Sequence, residues 1–377
     1  MSRGQSAACG VTEVRVALVT EIAAPYRFPV FNELNRMLDG GLHVYFTSAQ
    51  GQRDWRVPFE EASFEYSVLG GFSFDIPYRG DRQPVYLAPP LLPRLARGRY
   101  DAVVVGGWSH LEAVWSLTWS RTTRRPLVLW SETPLLGPLP SRPLRSAWKR
   151  GIIRAAAAHA VPGPSTARYL EAHGTSRERI FEAPNAVDIE FWGDGSRAPR
   201  PTPPVLLYAG RLVQSKGVDL ALRAFGQSSM RDSWRLVVAG AGPEQAMLAQ
   251  IATSNVTFVG SQDREGLRAL YRTASMLVFP SRYDPWGLVL NEAASSGLAA
   301  VASDAAGATH DLLRHGENGL IVTPDVDALR SAFDYLATDQ KLADRLGDAA
   351  GGIARTHTPR ACAEGLLAAV RAAASRA

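Results

Sequence analysis

The stretch Pro280-Ser281-Arg282-Tyr283-Asp284-Pro285-Trp286-Gly287-Leu288-Val289-Leu290-Asn291-Glu292 follows a short apolar run, 276–279, that is typical of a buried strand. The sequence predicts a turn and then a helix, with Pro285 at the first helical position and Asp284 as the capping residue. Gly287 carries no side chain where the free N–H groups of a helix start would face a ligand, which favours a phosphate site. Glu292 lies a little over two turns after Asp284, so both acids can face one side. An ordinary strand-turn-helix with a capping aspartate is the alternative.

The composition is that of a soluble globular protein, with 46% hydrophobic and 20% charged residues. A chain of 377 residues usually forms more than one core, so we predict two domains. The net charge is +5, and all of the excess positive charge lies in residues 1–200. This mild bias suits an anionic substrate or a membrane surface and does not indicate a nucleic-acid partner.

Cellular location is predicted from what the sequence lacks. Cys9 and Cys362 offer neither a disulfide framework nor zinc-binding spacing, which fits a reducing compartment. No apolar run approaches the ~18 residues of a membrane span, and residues 1–10 lack the apolar core of a signal peptide. We expect a cytoplasmic protein, with peripheral contact at the inner face of the membrane as the further possibility.

Short apolar runs alternate with helical segments throughout the chain. The runs are 14–19, 43–46, 102–105, 127–130, 159–161 and 180–183, and then 205–208, 234–238, 256–259, 276–279, 299–302 and 319–322. This alternation predicts an α/β fold with parallel sheets covered by helices. Because ligands bind beyond the carboxyl ends of such strands, we expect the loops 20–27, 106–110 and 131–134 to line a cleft.

A segment rich in glycine and proline, 193–204, cannot form a helix or a central strand. We therefore predict an N-terminal Rossmann-like domain over 1–193, a linker over 194–204 and a C-terminal Rossmann-like domain over 205–359. An Ala-rich helix is predicted over 360–373, within the terminal segment 360–377.

Two cations, Arg211 and Lys216, follow the first strand of the second half, and Gly210 permits a tight turn beside them. A planar guanidinium and a point charge can clamp a diphosphate, although surface cations on a loop are the alternative. The stretch 240–243 begins like a dinucleotide fingerprint but lacks its third glycine, so it predicts a tight strand-to-helix turn lining the cleft. Asp325-Val326-Asp327 precedes a predicted helix, so we expect a helix cap there and no metal site.

Two polar residues, His110 and Glu132, lie at strand ends of the first half, where either can contact a hydroxyl group or act as an acid or base. A structural histidine is the alternative for His110, whereas Pro134 favours a loop that points Glu132 into the cleft. Residues 142–154 predict a basic amphipathic helix, which either lies on an anionic membrane or presents a solvated face. Its cations are Arg142, Arg145, Lys149, Arg150 and Arg154.

Taken together, these motifs resemble glycosyltransferase family 4, which has the GT-B fold. The matching segments occur in the family's order: 183–188 with Phe191, 208–212 with 216–219, 239–243, 258–260, 280–292, and 307–311 with 315–319. The resemblance implies two Rossmann-like domains facing across a deep cleft. It also implies metal-independent sugar transfer with retention of configuration. The nucleoside-diphosphate sugar is then a co-substrate, and no cofactor is bound.

The resemblance also implies roles for individual residues. Arg211 and Lys216 would hold the diphosphate and stabilise the leaving group, and Asp284 would bind the donor sugar. Asp284 is one methylene shorter than the glutamate more usual in the family, which bears on donor choice. Glu292 would take the ribose hydroxyls. The remaining donor-binding positions are Gly210, Gly242, Gly287 and Leu288.

The first half departs further from the family pattern. Ala24-Pro25-Tyr26-Arg27 replaces the glycine-rich first loop, and Ser131-Glu132 stand near the place of a histidine that the family often has. We assign the acceptor side to Tyr26, Arg27, His110 and Glu132. The acceptor would be a polysaccharide, a lipid-linked glycan or a small molecule, and the C-terminal helix would pack back on the first domain.

Other functions remain compatible with this sequence. One is a GT-B nucleotide-sugar epimerase, and another is a sugar phosphorylase, which needs a lysine for pyridoxal phosphate. A non-catalytic module that binds a nucleotide sugar or a glycan is the alternative outside the enzymes.

Overall fold

The computed structural model describes residues 14–49, 56–78, 81–87, 91–108, 110–136, 143–193 and 201–376. Within these residues the chain forms an α/β fold with two parallel sheets, as the alternation of apolar runs predicts. The predicted linker falls mostly on residues 194–200, which lie outside the described residues.

The first half carries one sheet and a hairpin. Its elements are β1 (Val16–Ile22), α1 (Phe28–Met37), β2 (Leu42–Ser48), β3 (Glu65–Val68), β4 (Phe72–Tyr78), β5 (Asp81–Leu87), α2 (Leu91–Arg97), β6 (Ala102–Gly106), α3 (Leu111–Thr123), β7 (Leu127–Trp130), α4 (Pro143–Ala155), β8 (Ala158–Val161), α5 (Pro164–Ala172), β9 (Ile180–Glu182) and α6 (Ile189–Trp192). The strand order among the described residues is β3-β2-β1-β6-β7-β8-β9, with all pairs parallel. The antiparallel pair β4-β5 forms a separate hairpin.

The second half carries another parallel sheet. Its elements are β10 (Val205–Ala209), α7 (Val218–Gln227), β11 (Arg235–Ala239), α8 (Gln245–Ile251), β12 (Val256–Gly260), α9 (Arg264–Thr273), β13 (Met276–Phe279), α10 (Leu288–Ser295), β14 (Ala300–Ser303), α11 (Gly307–Leu312), β15 (Gly319–Val322), α12 (Val326–Thr338), α13 (Gln340–Ala354) and α14 (Pro359–Ala374). The described strands follow the order β12-β11-β10-β13-β14-β15.

Successive strand residues point to opposite faces of a sheet, and a buried hydrophobic core lies on both faces of each sheet. In β1, Val16 and Leu18 belong to one hydrophobic core, and Ala17 and Val19 belong to another on the opposite face. Parallel strands also bring all their carboxyl ends to one edge, where loops collect.

The last helix, α14, belongs to the core of the first sheet. Cys362, Leu366 and Val370 are buried there together with Phe31 and Val104. The chain therefore returns to its first half after completing the second. None of the described helices combines the length and apolar character that a membrane crossing requires.

Candidate active site

Two glycine-containing loops run side by side at the carboxyl edge of the second sheet. The Gly210 N–H donates to the Ala239 carbonyl, and the Leu212 N–H donates to the Ala241 carbonyl, both at 2.9 Å. A β-carbon at Gly240 would lie 1.8 Å from the Gly210 carbonyl oxygen, so the two backbones touch. The tight turn predicted for 240–243 is present between β11 and α8.

Gly242 has a similar role, since a β-carbon there would lie 2.3 Å from the Leu212 carbonyl oxygen. Arg211 lies between these contacts, and its side chain is exposed at the strand edge. The buried Tyr208 hydroxyl donates to the Arg211 carbonyl at 2.8 Å, which fixes the backbone that carries the guanidinium.

Lys216 and Asp284 form an ion pair between the loops that follow β10 and β13. Their side chains are 21% and 10% exposed, so the pair is sheltered but reachable. Lys216 ends a 3-10 turn, and Gly217 after it has φ 65°. The structure thus joins two of the predicted donor-side residues directly.

A second ion pair, Arg282–Asp219, was not predicted from the sequence, and it supports the Lys216–Asp284 pair. Arg282 donates to both Asp219 carboxylate oxygens, at 2.6 and 2.7 Å, and to the Gln214 carbonyl at 3.0 Å. Burial favours the neutral Asp219, but its hydrogen bonds from Arg282 prevail and lower the pKa of the Asp219 carboxyl. The Arg282 N–H also donates to the Ser215 carbonyl at 2.8 Å. The loops of Lys216 and Asp284 are therefore held together.

The prediction that Asp284 caps a helix at Pro285 is wrong. The helix begins at Leu288, and Gly287, with φ 103°, is its N-cap. A β-carbon at Gly287 would lie 2.5 Å from the Phe279 ring, so close packing and positive φ both require glycine. Asp284 instead accepts from the Trp286 N–H at 3.2 Å and pairs with Lys216.

Glu292 lies on α10 and faces α9 rather than the Lys216–Asp284 pair. The Tyr271 hydroxyl donates to Glu292 Oε2 at 2.8 Å. Loss of hydration raises the pKa of the Glu292 carboxyl to about 7, although the Tyr271 bond opposes this shift. The acid therefore titrates near neutral pH. No sequence signal paired Tyr271 with Glu292.

On the first sheet, Arg27 and Glu132 form an ion pair of 2.6 Å. Arg27 also donates to Thr20 Oγ1 at 3.1 Å and stacks 4.5 Å from the centre of the Trp130 ring. Burial opposes the charged form, yet neighbouring groups, Tyr26 and Glu132 foremost, raise the pKa of the Arg27 guanidinium. Arg27 thus balances Glu132 at the carboxyl ends of β1 and β7.

His110 stands apart from this pair. Its Nε2 contacts the Glu21 carboxylate, and its side chain is only 7% exposed. The residue therefore lies behind Glu21 rather than in the open cleft. Burial lowers the pKa of the His110 imidazole, but the hydrogen bond to Glu21 and the nearby carboxylates raise it overall.

The two carboxyl edges meet across a cleft. A β-carbon at Gly307 would lie 3.3 Å from the Pro134 ring, and Pro134 is two residues from Glu132. The Gly307 N–H donates to the Asp284 carbonyl at 3.2 Å. The segments that carry the predicted acceptor-side and donor-side acids are therefore in contact.

The basic helix was predicted over 142–154, and α4 is present over Pro143–Ala155. Arg142 and the side chains of 143–148 lie outside the residues that the structure describes. Lys149 was predicted to lie on a membrane-facing or solvated basic face, and this is wrong. Its side chain is buried, with the ammonium 5.1 Å from the Tyr169 ring centre. This cation packs within the domain because the aromatic ring shelters it.

Asp325 caps α12 through the Ala328 N–H at 2.9 Å, as predicted. Among the described residues, no three histidine, cysteine, aspartate or glutamate side chains gather as a metal site.

Comparison with known proteins finds related glycosyltransferases for both halves of the chain. Residues 194–351 match the family model for glycosyl transferases group 1, and residues 41–191 match that for glycosyltransferase family 4. The chain belongs to these glycosyltransferases. Over 187 residues it is 34% identical to glycogen synthase of Mycobacterium tuberculosis, covering 48% of this chain and 45% of that enzyme.

A second relative is D-inositol 3-phosphate glycosyltransferase of Nocardia farcinica, 30% identical over 230 residues. That match covers 54% of this chain and 50% of the relative, so this glycosyltransferase spans about half the length of the curated relatives it matches. The fold is similar to that of Anabaena HepE in complex with UDP, with a TM-score of 0.75 at 18% identity. This similarity covers 94% of the present chain and 99% of HepE, and it confirms the GT-B fold.

Proposed function

We propose that the protein is a retaining glycosyltransferase that moves a sugar from a nucleoside-diphosphate sugar to a hydroxyl acceptor. The observation that carries the proposal is the contact between the two carboxyl edges. The Lys216–Asp284 pair on one side is joined through Gly307 and Pro134 to the loop of Glu132 on the other. Donor and acceptor bound at these edges would meet in one cleft.

The second sheet supplies the donor side of this proposal. Lys216 and Arg211 would face the diphosphate, and the N–H groups of Gly287 and Leu288 at the start of α10 would add donors to its oxygens. Asp284 would accept from a hydroxyl of the transferred sugar, and Glu292 from the ribose. A bound donor would compete with the contact between Lys216 and Asp284.

The proposed chemical step is a displacement on one face of the sugar. The acceptor oxygen bonds to the anomeric carbon as the bond to the phosphate oxygen breaks, and the acceptor proton passes to that departing oxygen. Lys216 and Arg211 would stabilise the charge that develops on the diphosphate, which is the kind of electrostatic stabilisation that dominates many enzymes. In this proposal no covalent bond forms between the sugar and the protein.

A thermal-shift screen of UDP, GDP, ADP and TDP sugars identifies the donor, since a ligand that binds the folded state raises the melting temperature. With that donor, Lys216→Ala is expected to lower turnover by about a hundredfold, the usual loss for one charge-stabilising group. Glu292→Ala is expected to weaken nucleotide binding by about tenfold.

Lys341→Ala is the matched control, because it removes another lysine, one that is exposed on α13 and has no predicted role in the site. Its rates should match those of the parent chain. Unchanged rates in both Lys216→Ala and Glu292→Ala would refute the placement. Nucleotide binding without turnover over all donors and acceptors would instead indicate a binding module, and isomerised donor without transfer would indicate an epimerase.

A further inference from the structure

The Glu21 carboxylate and the His110 imidazole are in contact at the carboxyl ends of β1 and β6, with the carboxylate nearer the surface. Glu21, near the end of β1, contacts His110 Nε2, just before α3. The Glu21 side chain is 35% exposed, whereas that of His110 is 7% exposed. The group that an incoming ligand meets first is therefore Glu21, and His110 lies behind it.

A second acid, Glu112, lies beside this pair. Glu112 is 3% exposed, and its Oε1 accepts from the Thr47 hydroxyl at 3.0 Å. Its Oε2 and His110 Nδ1 are buried and have no hydrogen-bond partner among the described residues. Glu21, His110 and Glu112 all line one small pocket with Gly106. Buried polar atoms without partners are uncommon.

This pocket adjoins the acceptor-side ion pair. Thr20, which also lines the pocket, accepts a hydrogen bond from Arg27, and Arg27 pairs with Glu132. The Arg27 charge is thus already balanced. What remains open to a ligand is the Glu21 carboxylate, which contacts His110 and lies within electrostatic reach of Arg27.

The chemistry of the exposed group selects its ligand. An ionised carboxylate only accepts hydrogen bonds and has about four acceptor sites, one of which His110 occupies. Hydroxyl groups of a sugar can fill the others. A phosphate or carboxylate on the acceptor would meet like charge from Glu21 and find Arg27 already paired.

We propose that Glu21 is a specificity-determining residue of the acceptor site, that it binds hydroxyls of a neutral sugar, and that His110 is its positioning residue. This inference rests on the proposed function, because it names the acceptor class of the same cleft. It adds Glu21 to the acceptor side and assigns His110 an indirect role, acting through Glu21.

The test uses the donor that gives the largest thermal shift and four acceptor probes: glucose and octyl glucoside, and their anionic counterparts glucuronate and glucose 6-phosphate. The full chain should use the neutral pair in preference. Glu21→Gln should raise the KM for the neutral probes by about tenfold, as loss of a charge-assisted hydrogen bond does. The Kd for nucleoside diphosphate should stay within about twofold.

Two variants distinguish a positioning role of His110 from a purely structural role. His110→Gln should raise the acceptor KM by about threefold without changing nucleotide binding, because Glu21 remains but loses its fixed orientation. Glu21→Gln should also increase the relative use of glucuronate, since the like charge is gone; a purely structural role would not shift this preference. Glu33→Gln is the matched control, an acid of similar exposure on α1.

Several outcomes overturn the proposal. These are preference for an anionic probe, no use of any neutral probe, or an unchanged neutral KM and unchanged glucuronate preference in Glu21→Gln. Failure of the proposed function itself is distinct: the parent chain would then neither bind nucleoside diphosphates nor consume any sugar nucleotide, with or without an acceptor.

Discussion

Asp311 of the second half accepts two hydrogen bonds from Ser165 of the first, at 3.0 Å from its N–H and 2.6 Å from its hydroxyl. Ser165 lies in the first turn of α5, so the carboxylate of one domain satisfies the helix start of the other. A β-carbon at Gly163 would lie 2.5 Å from Asp311 Oδ2, so glycine is required for this approach. The contact ties together the two walls of the cleft.

Removal of this tie should open the cleft. Asp311→Ala is expected to lower the free energy of unfolding by roughly 1–2 kcal/mol, because α5 loses its cap and a partly buried bond is lost. It should also increase the radius of gyration measured by small-angle scattering. Asp325→Ala is the control, since Asp325 caps α12 within one domain. An equal change in radius for both variants would contradict the interpretation.

The Arg282–Asp219 pair should matter for donor binding although neither residue was predicted to touch the donor. Arg282→Ala frees the loop of Lys216, and we expect nucleoside-diphosphate affinity to fall roughly fivefold, about 1 kcal/mol. Arg282→Lys should not restore it, since an ammonium cannot make the paired contacts of a guanidinium. Calorimetric titration measures both. Arg330→Ala, which removes a surface arginine on α12, should leave the affinity unchanged.

The Glu292 carboxyl should make nucleotide binding depend on pH. Its pKa of about 7 lies above the ordinary 4.5, so the carboxylate forms only as pH rises through neutrality. If it accepts from ribose hydroxyls, affinity should increase by up to about tenfold between pH 6 and pH 8. Glu292→Gln should flatten this dependence. Tyr271→Phe should move its midpoint upward, because Tyr271 stabilises the ionised form. Equal slopes in the parent chain and Glu292→Gln would contradict the assignment.

Gly240 provides a steric prediction. Gly240→Ala should lower the free energy of unfolding by roughly 2–4 kcal/mol, because the new methyl group collides with the Gly210 carbonyl. Gly316 is the matched control: its φ is 78°, but nothing lies within 4 Å of a β-carbon there. Gly316→Ala should therefore cost only about 1 kcal/mol of backbone strain. Urea unfolding of the two variants separates collision from strain, and equal losses would refute the close approach.

The sequence predicted the two parallel sheets because buried strands leave apolar runs, and the strand at 276–279 was found at those residues. It missed β3, β4 and β5, since a strand such as β4 has no buried run: Phe72 is 76% exposed. Propensity and periodicity report burial, and a hairpin at the surface leaves a weak signal.

Pairings between distant side chains could not be predicted. Arg282 and Asp219 are 63 residues apart, and nothing local in either segment specifies the other. Glu21 belongs to the segment 20–27, which was expected to be a loop lining the cleft, but it lies near the end of β1; of Glu21 and His110, only His110 was predicted as a site residue. Only the relative depth of the two side chains shows which one a ligand meets.

The placement of α14 has a consequence for synthesis of the chain. Cys362, Leu366 and Val370 fill the core of the first sheet, so that core stays incomplete until α14 has left the ribosome. Domains generally fold in the order in which they are made. Here the strands of the first sheet are made before those of the second, yet the second core is complete first, and the first core keeps an apolar face uncovered until α14 arrives.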